Sequence, residues 1–78
     1  MHIPTYINIK YKNERYKINI PNTNVSILGI KEMICNYHLS SLNISHIRLY
    51  YIYDELRDSL NLSDYDITGG VTLELRSD

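Results

Sequence analysis

Residues 60–78 read LNLSDYDITGGVTLELRSD, a compact turn followed by a closing strand. Leu60 and Leu62 are spaced as apolar anchors, and Ser63 and Asp64 stand as cap residues ahead of Tyr65 and Ile67. Gly69-Gly70 punctuates the segment as a turn. Val71, Leu73 and Leu75 then alternate with Thr72, Glu74 and Arg76, the period of a strand with one buried face.

Upstream, the same two periods recur in a definite order. Ile7, Ile9 and Tyr11 alternate with Asn8, Lys10 and Lys12, and after Asn13-Glu14 the alternation resumes at Tyr16, Ile18 and Ile20, as in a hairpin. Pro21 and Asn22-Thr23-Asn24 end it. Ile27, Ile30, Ile34 and Tyr37 or His38 fall three or four apart, an apolar stripe on a helix that Ser26 is placed to cap. Gly29 costs that helix about 1 kcal/mol relative to Ala. A polar loop from Leu39 to His46 leads into residues 47–53, IRLYYIY, bulky enough for a buried third strand, and Glu55-Leu56-Arg57 follows as a short edge segment. The order is strand, strand, helix, strand, short strand, strand, within one domain over residues 1–78.

Composition limits the function classes. A chain of 78 residues is near the lower size at which one core supports itself. A formal net charge of −1 argues against a dedicated nucleic-acid binder, which carries a basic stripe, and leaves only a transient RNA contact open. Cys35 is the one cysteine, so no internal disulfide forms and a reducing compartment follows. The start, MHIPTYINIKYK, has neither the charged beginning nor the apolar run of a signal peptide, and no stretch is long enough to span a bilayer. Asn43-Ile44-Ser45 and Asn61-Leu62-Ser63 match the glycosylation sequon by chance in an Asn-rich chain.

An α+β arrangement with one helix across a mixed sheet of four to five strands resembles the ubiquitin-like β-grasp fold. LSDYDI followed four residues later by TLEL is similar to ubiquitin's own turn and last strand, in a stretch that aligns without a gap from Leu49 onward. The chain further resembles the spliceosomal ubiquitin-like family called homologous to ubiquitin, or ubiquitin-like protein five. SILGIKEMI resembles that family's capped helix, Tyr53 stands where the family has Tyr and ubiquitin has Gly, and Leu56-Arg57-Asp58, Leu60 and Leu62 follow its spacing. There are two departures. Arg76-Ser77-Asp78 replaces the family's terminal pair of Tyr residues. Val25 replaces an Asp that, in the family, pairs with an Arg of a helical motif in splicing partners.

Several motifs invite chemistry and fail to carry it. Asp64, Asp66, Thr68 and Gly69 open like a calcium loop, but the twelfth position is Leu75, where a bidentate Glu is needed. Gly69-Gly70 matches the diglycine through which ubiquitin is conjugated, yet here it precedes a strand, and cleavage after Gly70 would remove that strand from the core. Cys35 has His38 three residues on but no orienting third group, and His2, His38 and His46 lack metal-ligand spacing. The acidic residues from Asp54 to Asp66 read as a solvated turn region. No catalytic residue, metal or cofactor is expected.

What remains is surface. With Leu49 inward, Tyr50 and Arg48 face outward, joined by Glu74 and Arg76 from the closing strand. The resemblance maps ubiquitin's apolar recognition patch onto Lys12, Tyr50, Glu74 and Arg76, of which Tyr50 alone keeps apolar character. Receptors for the ubiquitin patch would desolvate these charges without pairing them. Tyr50 is the leading contact residue, because aromatic side chains are enriched at hot spots. The second surface is the edge of strand 2 and the groove beside the helix, with Arg15, Lys17 and Asn19 facing out, where a partner strand or short helix would lie. The resemblance implies a non-catalytic protein of nucleus and cytoplasm that docks noncovalently on splicing factors, without membrane or direct nucleic-acid binding. The other reading is a structural subunit or domain of another assembly, ribosome-associated or part of a longer chain, with a conjugated modifier behind both.

Overall fold

The computed structural model describes residues 5–77. Strands β1 (Thr5–Tyr11) and β2 (Glu14–Ile20) form a hairpin, helix α1 (Ile27–Tyr37) follows, and β3 (Ile47–Tyr51) and β4 (Asp54–Glu55) precede the closing strand β5 (Thr72–Ser77). Short 3-10 turns occupy Ile44–His46 and Leu62–Tyr65. The sheet order is β2-β1-β5-β3-β4. β5 runs parallel to β1 and antiparallel to β3, so it occupies the centre of a mixed sheet. Met1 to Pro4, with His2, and Asp78 lie outside the described residues.

Period-two patterning decides which face of the sheet is covered. Ile7 and Ile9 of β1, Ile18 and Ile20 of β2, Ile47 and Leu49 of β3, and Leu73 and Leu75 of β5 are all buried. They pack in one cluster with Ile27, Ile30 and Ile34 of α1 and with Leu56, Leu62 and Ile67 from the connections. Ser26 caps the helix, its Oγ accepting from Gly29 N–H at 3.0 Å. The Ile27 N–H donates to the Leu60 carbonyl at 2.8 Å, which ties the cap to the turn before β5.

Local details depart from the pattern. The apolar stripe of α1 ends at Ile34: Tyr37 is 77 % exposed, and His38 is the C-cap with its ring tilted against Tyr16 at 5.3 Å. Leu39 takes the place on the core, its N–H bonded to the Ile34 carbonyl at 2.8 Å. The third strand stops at Tyr51, because Ile52 and Tyr53 form the turn to β4 and stand in solvent. The edge segment is therefore Asp54–Glu55, and Leu56 turns inward, donating to the Leu49 carbonyl at 2.8 Å. The first hairpin turns at Lys12-Asn13, with Glu14 already in β2.

The turn before β5 is capped by Asn61, not by Ser63 and Asp64. Asn61 Oδ1 accepts from Asp64 N–H and Asp64 Oδ2 accepts from Asn61 N–H, both at 3.0 Å. Ser63 Oγ supports the cap by donating to Asn61 Oδ1 at 2.7 Å. Asp66 closes the turn in the left-handed region, which Asp tolerates. Gly70 has φ +85° and donates to the Tyr6 carbonyl at 2.7 Å, while a side chain at Gly69 would meet Thr5 Cγ2 at 3.0 Å. Positive φ at one glycine and close approach to β1 at the other account for the pair.

Candidate functional site

Because α1 covers one side of the sheet, the alternate residues of each strand share the other side. The register joins them into a row: Arg15 opposes Lys10, Lys10 opposes Glu74, Glu74 opposes Tyr50, and Tyr50 opposes Glu55. A second row runs from Lys17 through Asn8 to Thr72. Arg48 and Arg76 oppose each other beyond Tyr50.

The residues expected from strands 3 and 5 come together on this face. The Arg76 guanidinium carbon lies 4.7 Å from the Tyr50 ring centroid, and its Nε lies 3.2 Å from Glu74 Oε1. Arg76 thus stacks on an aromatic face while neutralising a carboxylate on its own strand. Lys12 reaches the same region, lining a shallow depression with Lys10, Glu74 and Leu75. Lys12 has φ +56°, which turns the chain at the hairpin tip.

Lys17 belongs to both expected surfaces. Its ammonium sits over the Tyr6 ring at 4.5 Å, on the open face, and it also lines the groove beside α1 with Ile18, Asn19, Met33, Tyr37 and His38. β2 is an edge strand, so its outer backbone groups border that groove. Val25 is elsewhere: it is half-buried at the entry to α1 and packs against the core.

Two contributors escaped the sequence reading although their signal was present. Tyr6 and Lys10 occupy the alternate positions to Ile7 and Ile9, and the parallel pairing of β1 with β5 carries Lys10 to Glu74. More important is the charge distribution. Six of the eight Lys and Arg residues, Lys10, Lys12, Arg15, Lys17, Arg48 and Arg76, lie on or border the open face. Among the described residues its carboxylates are Glu74 and, at the β4 edge, Glu55. A net charge near zero therefore conceals a basic face.

Cys35 is half-buried on α1, and burial pushes its thiol above the ordinary value, which disfavours the nucleophilic thiolate. His38 is engaged with Tyr16. Asp64 is committed to the cap, and among the described residues no three His, Cys, Asp or Glu side chains gather to hold a metal ion. Among the described residues no helix is long and apolar enough to cross a membrane.

The fold is the ubiquitin-like β-grasp, a five-stranded mixed sheet with one helix. The ubiquitin-like domain of Plasmodium falciparum Dsk2 superposes with a TM-score of 0.83 at 19 % identity, covering 97 % of this chain and 100 % of that one. ATBAG1, solved in complex with HSP70, gives a TM-score of 0.85 at 20 % identity over 95 % of this chain and 40 % of its own. A designed protein based on human erythrocytic ubiquitin gives 0.82 at 24 % identity, over 95 % of this chain and 91 % of that one. The sequence itself matches no protein-family model and no curated protein.

Proposed function

We propose that this chain is a non-catalytic ubiquitin-like protein that docks noncovalently on protein partners, as an accessory factor of pre-mRNA splicing in nucleus and cytoplasm. The observation that carries the docking role is the open sheet face, where Tyr50 lies beneath Arg76 and beside Glu74. A flat, polar face with a half-exposed aromatic offers no enclosed cleft for catalysis and suits a macromolecular partner. The splicing assignment draws on the resemblance in SILGIKEMI, Tyr53 and Leu56-Arg57-Asp58 to the homologous-to-ubiquitin family. The groove between β2 and α1 is the second docking surface; Val25, outside it at the entry to α1, stands where that family has its acidic contact.

Conjugation is disfavoured by the Gly69-Gly70 turn, since both glycines are built against β1 ahead of the central strand. The alternative is a ubiquitin-like unit of another large assembly or of a longer chain. The likeness to ATBAG1, of which 40 % is covered, supports that reading.

Native purification of tagged protein followed by mass spectrometry tests the assignment. Splicing factors as stoichiometric companions are the expected result; ribosomal proteins or a longer parent chain would favour the alternative. On denaturing gels the protein should migrate as a single species. A ladder of covalent adducts would overturn the docking model.

A further inference from the structure

We infer that the open face of the sheet docks an acidic segment of a polypeptide, an inference that rests on the protein-docking role proposed above. Lys10 on β1 stands directly opposite Arg15 on β2, and Lys17 follows two residues along β2 on the same face. Like charges directly opposed across strands destabilise a sheet, and Glu74, the carboxylate opposite Lys10 on β5, is already engaged by Arg76, so this cluster carries a cost that folding alone does not offset. An anionic partner offsets that cost by placing carboxylates between the opposed cations.

The remaining charges define the same polarity. Lys17 and Lys12 add cations at the β2 edge and at the hairpin tip, whereas Glu55 marks the β4 edge. Asp54 lies on β4 opposite Tyr51, and Asp58, Asp64 and Asp66 belong to the connection between β4 and β5. The field of the face therefore steers an acidic segment toward β1 and β2. From β2 to β5 the face crosses two strand spacings, roughly 10 Å. That span fits about three extended residues or about two turns of a helix.

The tyrosines favour polypeptide over single-stranded RNA. Bases bind such sheets by stacking on open aromatic faces. Here Lys17 sits over Tyr6 at 4.5 Å and Arg76 over Tyr50 at 4.7 Å, so a base would have to displace a cation from each ring.

The test is an amide-resolved NMR titration of the intact chain with a synthetic twelve-residue peptide of alternating Glu and Ser, beside a uridine dodecamer. Saturable shifts confined to β1, β2 and β5, weakened at least about tenfold by Lys10→Glu with Lys17→Glu and weakened again by salt, are expected. Arg57→Glu, which lies off the face, should leave peptide binding unchanged. If the double reversal unfolds the protein, Lys10→Gln with Lys17→Gln replaces it, with a smaller loss expected. Tighter binding of the uridine dodecamer, shifts confined to the groove beside α1, no saturable shift, or full peptide affinity in the folded double variant would each overturn the inference. A native partner retained by the double variant would overturn it and leave protein docking intact, whereas the absence of any native partner would strike the docking role itself.

Discussion

Arg76 bridges Tyr50 and Glu74: its guanidinium carbon is 4.7 Å from the ring centroid of the first and its Nε is 3.2 Å from Oε1 of the second. The contact reconciles two charged residues and one aromatic on an exposed sheet, and it presents Tyr50 as an ordered, partly covered ring. Replacing Tyr50 by Ala should cost little stability, because an exposed cation–π contact contributes about 0.5–1 kcal/mol. Partner affinity should fall about tenfold or more, as for an aromatic anchor. Chemical denaturation and binding isotherms of Tyr50→Ala, Arg76→Ala and the double variant measure both quantities.

Lys31 is a buried cation on α1, 6 % exposed, and its ammonium contacts Asp58 Oδ1 at 2.6 Å. Asp58 is half exposed, so water screens the pair on one side. Asp58→Asn, which strips a buried ammonium of its counter-charge, should destabilise by about 1–2 kcal/mol. Lys31→Met keeps the apolar stem and removes the charge, so it should cost less. Urea denaturation of the two variants tests the ordering; a larger loss for Lys31→Met would contradict it.

Ile52 has φ +60° at the tip of the β3–β4 hairpin and is 71 % exposed. A β-branched residue in the left-handed region is strained, and no buried contact compensates it. Ile52→Asn should raise stability by about 0.5–1 kcal/mol, read as an increase in Tm. Unchanged or lower Tm would show that the turn is held by contacts of the Ile52 side chain.

Gly70 adopts φ +85°, so Gly70→Ala should destabilise by about 1–2 kcal/mol. Gly69→Ala should be destabilising for a different reason, since the new Cβ meets the Thr5 methyl at 3.0 Å. Pairing Gly69→Ala with Thr5→Ser, which removes that methyl, should recover part of the loss in thermal melts. Equal losses with and without Thr5→Ser would refute the steric account.

Burial raises the Cys35 thiol, so the folded protein holds this proton more tightly than the unfolded chain. The thiolate then forms only at pH above the ordinary thiol value, and alkylation by iodoacetamide should be slow at neutral pH in the folded state. Through linkage, stability should decline as pH rises past the unfolded thiol value toward the folded one. Stopped alkylation followed by mass spectrometry across pH measures the first effect. Denaturation of wild type beside Cys35→Ala isolates the second.

The strands and the helix were legible because each carries a local period: Ile7 and Ile9, Ile18 and Ile20, and Leu73 and Leu75 alternate, whereas Ile27, Ile30 and Ile34 recur at helical spacing. Their ends were less so. Tyr37 continues the helical stripe in sequence, yet the chain bonds Leu39 back to Ile34 and packs that half-buried leucine against the core. Ile52 reads as strand because β-branched residues favour strands, but pairing of Tyr51 with Asp54 forces it into the turn. The cap at Asn61 was hidden for a similar reason, since Ser63 and Asp64 are equally good cap residues and only the hydrogen bonds distinguish them.

Of the candidate site, the sequence determined which residues face outward on each strand, because alternation fixes the facing of Arg48, Tyr50, Glu74 and Arg76 relative to their buried neighbours. Only the tertiary structure decided which outward residues meet. Parallel pairing of β5 with β1, residues far apart in the chain, brings Lys10 beside Glu74 and gathers the cations of four strands on one side. Local periodicity has no information about that pairing, since register between distant strands is chosen by the packing of the common core beneath them.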